Sequence, residues 1–92
     1  MPKRHLRTRT DIIEDLLDAI QEKKGRIKQT HLMYKANLSH AQLKPYLEDI
    51  IAKGFIKKIN EESNIYIILT ERGEKFAHKL QEIKKFERSI GL

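Results

Sequence analysis

The apolar residues of this chain change their spacing at Gly54, and that change limits the folds open to it. Before Gly54 they recur every three or four positions, as on a helix that buries one face. After it, Phe55-Ile-Lys-Lys-Ile and Ile65-Tyr-Ile-Ile-Leu follow a period near two, the spacing of strands. Asn60-Glu-Glu-Ser-Asn64 joins them as a turn-rich hairpin tip, and helical spacing returns after Thr70. With 92 residues there is room for one domain.

Three helices fit before Gly54. Thr8 or Thr10 can cap the first, whose apolar residues are Ile12, Ile13, Leu16, Leu17 and Ile20. Asp11 suits the N-terminal end of its dipole, and Lys23, Lys24 and Gly25 close it. A short basic piece, Arg26-Ile-Lys-Gln, comes next. Thr30 then caps a two-turn helix from His31 to about Ala36, burying Leu32 and Met33, and Asn37-Leu38 makes the turn. Ser39 opens the third helix with a capping box, Ser39-x-x-Gln42. Its stripe is Leu43, Tyr46, Leu47, Ile50 and Ile51, and Lys53-Gly54 ends it. Thr70 caps a long last helix from Glu71 to about Ile90.

Pro45 breaks a local rule. Counted from Ser39 it falls inside the third helix, where it loses a backbone bond at a cost of about 3 kcal/mol. Either that helix is kinked, or its first turn is tight and the regular helix begins near Pro45.

The order α-α-α-β-β-α, with a short turn between the second and third helices, is a helix-turn-helix followed by a hairpin. This is a mainly helical α+β chain of the winged-helix kind. Residues 1–9 form a basic N-terminal arm, 10–70 the winged-helix domain and 71–92 the C-terminal helix.

Several functions are excluded on composition. Without cysteine there is no disulfide, no thiolate nucleophile and no cysteine-based zinc site. The longest apolar run is five residues, Ile65 to Leu69, too short to span a membrane. The basic N-terminus lacks the apolar stretch of a secretion signal, so a cytoplasmic protein is expected. His5, His31, His40 and His78 show no metal-ligand spacing, and no nucleotide loop or nucleophile–base pair is present. The expectation is a protein without catalytic activity, cofactor or evident small-molecule ligand.

Charge points to a polyanion. The formal net charge of +6 is uneven along the chain. Lys3, Arg4, Arg7 and Arg9 give the first ten residues +4, and Arg26, Lys28 and Lys35 give residues 25–38 +3. Residues 11–24 sum to −3, with Asp11, Glu14, Asp15 and Asp18 along one helical face. The hairpin is neutral, with Glu61 and Glu62 at its tip.

Thr30-His-Leu-Met-Tyr-Lys-Ala-Asn-Leu-Ser39, with Gln42-Leu43, Tyr46-Leu47 and Gly54-Phe-Ile56 after it, resembles the archaeal winged-helix family typified by a ten-kilodalton chromatin protein. Leu69-Thr-Glu-Arg-Gly73 is similar to that family's L-T-x-x-G opening of the last helix. The likeness spans about residues 10–90. It departs at Pro45, where lysine is common, and in the acidic hairpin tip. The resemblance implies a DNA-binding domain, often dimeric through antiparallel pairing of the last helix. Members are described as architectural chromatin proteins and as transcription regulators, and a nucleoid association follows.

In helix-turn-helix docking the third helix enters the major groove. Its outward residues include His40, Gln42 and Lys44. Gln42 can bond adenine or simply close the cap with Ser39, and Ser39 can also meet a phosphate. Arg26, Lys28 and Lys35 flank the second helix, where backbone contacts fall, and Lys3, Arg4, Arg7 and Arg9 form an arm for phosphates or a minor groove. Acidic Glu61 and Glu62 disfavour a hairpin-driven contact. Phe76, Leu80, Ile83, Phe86 and Ile90 make a stripe on the last helix that calls for a partner helix, a short coiled coil in a homodimer. The other reading is a winged helix used for protein–protein assembly without DNA, favoured by the acidic face of the first helix and the acidic hairpin tip.

Overall fold

The computed structural model describes residues 7–91. Helix α1 spans Arg9–Glu22, strand β1 Arg26–Lys28, α2 Gln29–Ala36, α3 His40–Ala52, β2 Ile56–Glu61, β3 Asn64–Leu69 and α4 Glu71–Ser89. The mainly helical winged fold is as expected, with one addition. The basic piece after Gly25 is a strand, and the antiparallel sheet has three strands in the order β1-β3-β2. β1 carries one buried residue, Ile27, opposite Ile67, so its periodicity is too short to read. What makes it a strand is the free edge of β3 beside it.

Side-chain caps set three helix starts. Of the two threonines available, Thr8 is the one that caps α1: its Oγ1 accepts from the Asp11 amide at 3.0 Å, and Asp11 returns the bond at 2.9 Å. Ser39 and Gln42 close the same box at α3. Thr70 caps α4, accepting from the Gly73 amide at 3.0 Å. α2 differs from expectation, starting at Gln29 with Lys28 in the cap position and no side-chain cap bond. Thr30 therefore lies inside its first turn.

Pro45 does not delay the helix. α3 is continuous from His40, with the Leu43 amide bonded to the Ser39 carbonyl at 2.9 Å. Pro45 sits in the second turn, and both it and Ala41 are exposed, so the missing bond is lost on the solvent side.

The core takes Leu16, Leu17 and Ile20 from α1, Leu32 from α2, Leu43 and Ile50 from α3, and Ile56 and Ile67 from the hairpin, all fully buried. Each contributes roughly 1.5–3 kcal/mol of hydrophobic stabilisation. α4 buries only Gly73 and Ala77, with Phe76 and Leu80 packed at the margin. Phe76 stacks on Phe55 with ring centroids 4.3 Å apart.

The hairpin closes more tightly than its sequence suggests. Strands run out to Glu61 and Asn64, leaving only Glu62 and Ser63 as the loop. Both have positive φ, 50° and 68°, as a type I′ turn requires, though neither is the glycine or asparagine such turns prefer. At its base the Phe55 carbonyl accepts from the Thr70 amide at 3.0 Å, and Thr70 Oγ1 donates to the Gly54 carbonyl at 2.6 Å. Arg72 Nε adds a bond to the Lys53 carbonyl at 2.8 Å. The end of α3, the hairpin base and the start of α4 are thus one joint.

Candidate nucleic-acid interface

The turn between α2 and α3 is set by backbone chemistry. Asn37 takes the left-handed conformation, φ 58° and ψ 48°, and the Leu38 amide reaches back to the Met33 carbonyl at 3.1 Å. Two residues later Ser39 starts α3. Its Oγ accepts from the Gln42 amide at 3.1 Å, and the Ser39 amide donates to Gln42 Oε1 at 2.9 Å. With the box closed, Gln42 Oε1 already accepts from the Ser39 amide, so paired readout of adenine, which uses both amide atoms, competes with the cap.

Because Leu43, Leu47 and Ile50 are buried, the opposite row of α3 stands in solvent: His40, Ala41, Lys44, Pro45 and Glu48 are exposed. Lys44 is 3.9 Å from Glu48, a loose contact. Beside this row, Lys58 on β2 shares a small cavity with His40 and Lys44. Tyr34 projects from α2 and is 84% exposed.

This short turn, an exposed second helix and a following hairpin agree with a sequence match to the winged helix-turn-helix family over residues 6–88. The chain belongs to that family. An uncharacterized protein of Methanocaldococcus jannaschii is 35% identical over 81 residues, covering 88% of this chain and 77% of the relative. Among solved structures, a winged-helix DNA-binding protein from STIV is similar with a TM-score of 0.74 at 18% identity, over 96% of this chain and 97% of that one. The DNA-binding protein Sso10a-2 from Sulfolobus solfataricus gives 0.71 at 18% identity, over 85% and 82%. These two likenesses are of fold.

On this winged helix many expected cations are already engaged. Arg7 donates to Asp15 at 2.9 Å and to the Ala36 carbonyl at 2.9 Å. Arg9, the first residue of α1, pairs with Asp49 and lies 5.6 Å from the Tyr46 ring. Lys35 donates to Glu22 at 2.6 Å. Arg26 pairs with Glu61 and stacks 4.0 Å over Tyr66, which neutralises part of the acidic tip. These bonds shift their acids: the Lys53 hydrogen bond and then Arg9 hold Asp49 below the usual carboxylate range, and Lys35 does the same to Glu22. Lys3 and Arg4 lie outside the described residues.

Other cations are unengaged. Lys28, Lys57 and Lys58 have no ion-pair partner among the described residues and are exposed. By register Lys57 faces outward opposite Ile68, while Lys58 lies opposite buried Ile67 on the inward face and emerges at the edge beside α3. Alternation along the strand foretells that one lysine turns inward; it does not show that α3 waits there.

The stripe of α4 divides in two. Phe76 and Leu80 are packed on the domain, whereas Ile83, Phe86 and Ile90 are 53%, 64% and 53% exposed. On its other side α4 meets the acidic face of α1, with Lys84 3.4 Å from Glu14 and Gln81 3.3 Å from Asp18. That face has a partner within the chain. Among the described residues no helix is long and apolar enough to cross a membrane, and no cluster of three or more His, Asp or Glu could hold a metal.

Proposed function

We propose that this winged helix binds duplex DNA as a homodimer and acts in the nucleoid as a transcription regulator or an architectural chromatin protein. The observation that carries this reading is the exposed row His40, Ala41, Lys44 and Pro45 on α3, bordered by unengaged Lys58. A helix that follows a tight turn and presents its N-terminal half to solvent can lie in a major groove. Lys28, Lys57 and Lys58 supply phosphate contacts, and Tyr34 projects from α2 where the backbone passes. Arg7, Arg9, Arg26 and Lys35 can still reach phosphates by exchanging a carboxylate for a backbone oxygen. Ser39 and Gln42 sit at the groove end of the helix. With few base-reading side chains, sequence discrimination is modest, at roughly 1–3 kcal/mol for each good paired contact.

The DNA-binding neighbours from STIV and Sulfolobus solfataricus support the same reading. Ile83, Phe86 and Ile90 support dimerisation, and a two-fold pair would present two α3 helices. Binding of a labelled duplex at several salt concentrations tests it. The expected result is a linear fall of log K with log[salt], with a slope of about −0.9 for each phosphate neutralised. No binding at low salt would refute it.

A further inference from the structure

Gln29 is 9% exposed, yet its Oε1 has no hydrogen-bond partner. It is the one buried side-chain polar atom left unpaired among the described residues. An enclosed acceptor without a donor is costly, and its cost is removed by a group that brings a proton. Gln29 lines a partly enclosed cavity of about 80 Å³ between α3 and β2. At roughly 30 Å³ per water, that is the room of two or three waters, or of one tetrahedral oxyanion.

The cavity combines two kinds of wall. Leu43 and Leu47 give it an apolar side. His40, Lys44 and Lys58 also line it, with Glu48 the single carboxylate. Lys44 is held only by the 3.9 Å contact to Glu48, and Lys58 has no ion-pair partner among the described residues. Lys58 lies on the inward face of β2, opposite fully buried Ile67, yet it is exposed at the sheet edge, so its charge is open to a bound anion. A group that accepts from ammonium and also donates to Gln29 Oε1 suits both the charged lining and the unpaired acceptor.

We propose that this cavity binds inorganic phosphate. Hydrogenphosphate keeps one P–O–H at neutral pH, which donates to Gln29 Oε1 while its charged oxygens accept from Lys44 and Lys58. Sulfate has the same shape and no proton, and the phosphodiester of DNA has none either. The site stands without the DNA reading. If that reading holds, occupancy neutralises Lys44 on the outward row of α3, and phosphate competes with duplex.

The test is calorimetric and thermal titration of the chain with phosphate and with sulfate at matched ionic strength. Phosphate is expected to bind and to raise Tm, with sulfate roughly tenfold weaker, the worth of one hydrogen bond. Gln29→Leu fills the same space without an acceptor. It should melt no lower than the parent and lose the preference for phosphate, while Lys58→Ala should weaken both anions. Equal responses to the two anions, no response to phosphate, or a preference that survives in Gln29→Leu would overturn the proposal.

Discussion

Gly73 in the first turn of α4 lies against the backbone of Phe55, so closely that a β-carbon would stand 1.9 Å from the Phe55 carbonyl oxygen. The obstacle is backbone that is already bonded to Thr70, and it cannot turn aside as a side chain would. Gly73→Ala is expected to cost about 3 kcal/mol, the upper end for overpacking, despite alanine's better helix propensity. Urea unfolding measures it; a stability equal to or above the parent's would show that the joint yields.

The hairpin tip should respond in the opposite direction. Glu62 and Ser63 both hold positive φ at a cost of roughly 1–2 kcal/mol each. Replacing the pair by Asn-Gly is expected to stabilise the fold by about 1 kcal/mol, read as a higher urea midpoint at unchanged slope.

Asp18 gives a pH-dependent case. Burial raises its pKa from the ordinary 3.8, with Asp15 and Glu22 adding to the rise and Gln81 and Lys84 opposing it. A raised folded pKa means that the native state keeps its proton to higher pH than the unfolded chain. Stability from this group is thus present below about 3.8 and is lost as pH rises through the folded value. Asp18→Asn should raise Tm at pH 7 and change it little at pH 3, and thermal melts at both values check it.

Charge on the side proposed to face DNA separates into two classes. Lys28→Ala and Lys57→Ala remove unengaged cations, so each should weaken duplex binding similarly on all sequences and lower the salt slope by about 1. Arg9→Ala removes a cation whose charge Asp49 already balances, and its effect on the slope should be smaller. Fluorescence anisotropy at graded salt distinguishes them, and equal slope changes would refute the division.

Ile83→Asp tests the proposed dimer. Ile83 is more than half exposed, so the domain should melt as before while sedimentation finds monomers. Dimers that persist would place the interface elsewhere.

Much of the fold was readable because local chemistry announces it. Ser39 and Thr70 sit where their helices begin, and the change of period at Gly54 marks the hairpin. β1 was hidden because three residues with one buried position carry no pattern, and only the neighbouring edge of β3 makes them a strand. At the candidate interface the exposed row of α3 follows from its stripe. The engagement of Arg9 by Asp49, forty residues on, does not, since ion pairs at such distance arise only once the helices are packed. The cavity beneath Lys58 is hidden for the same reason: Gln29, Lys44 and Lys58 meet only in three dimensions.

The bond between Phe55 and Thr70, with Ile56 opposite Leu69 just above it, turns residues 55–70 into a clasp fastened at its foot. Both helices that adjoin the hairpin are anchored at that foot and neither is held by the tip. Lengthening the strands by matched pairs beyond Glu61 and Asn64 would carry the turn outward and leave α3 and α4 where they stand. The length of the hairpin can therefore vary in this protein independently of the exposed row on α3.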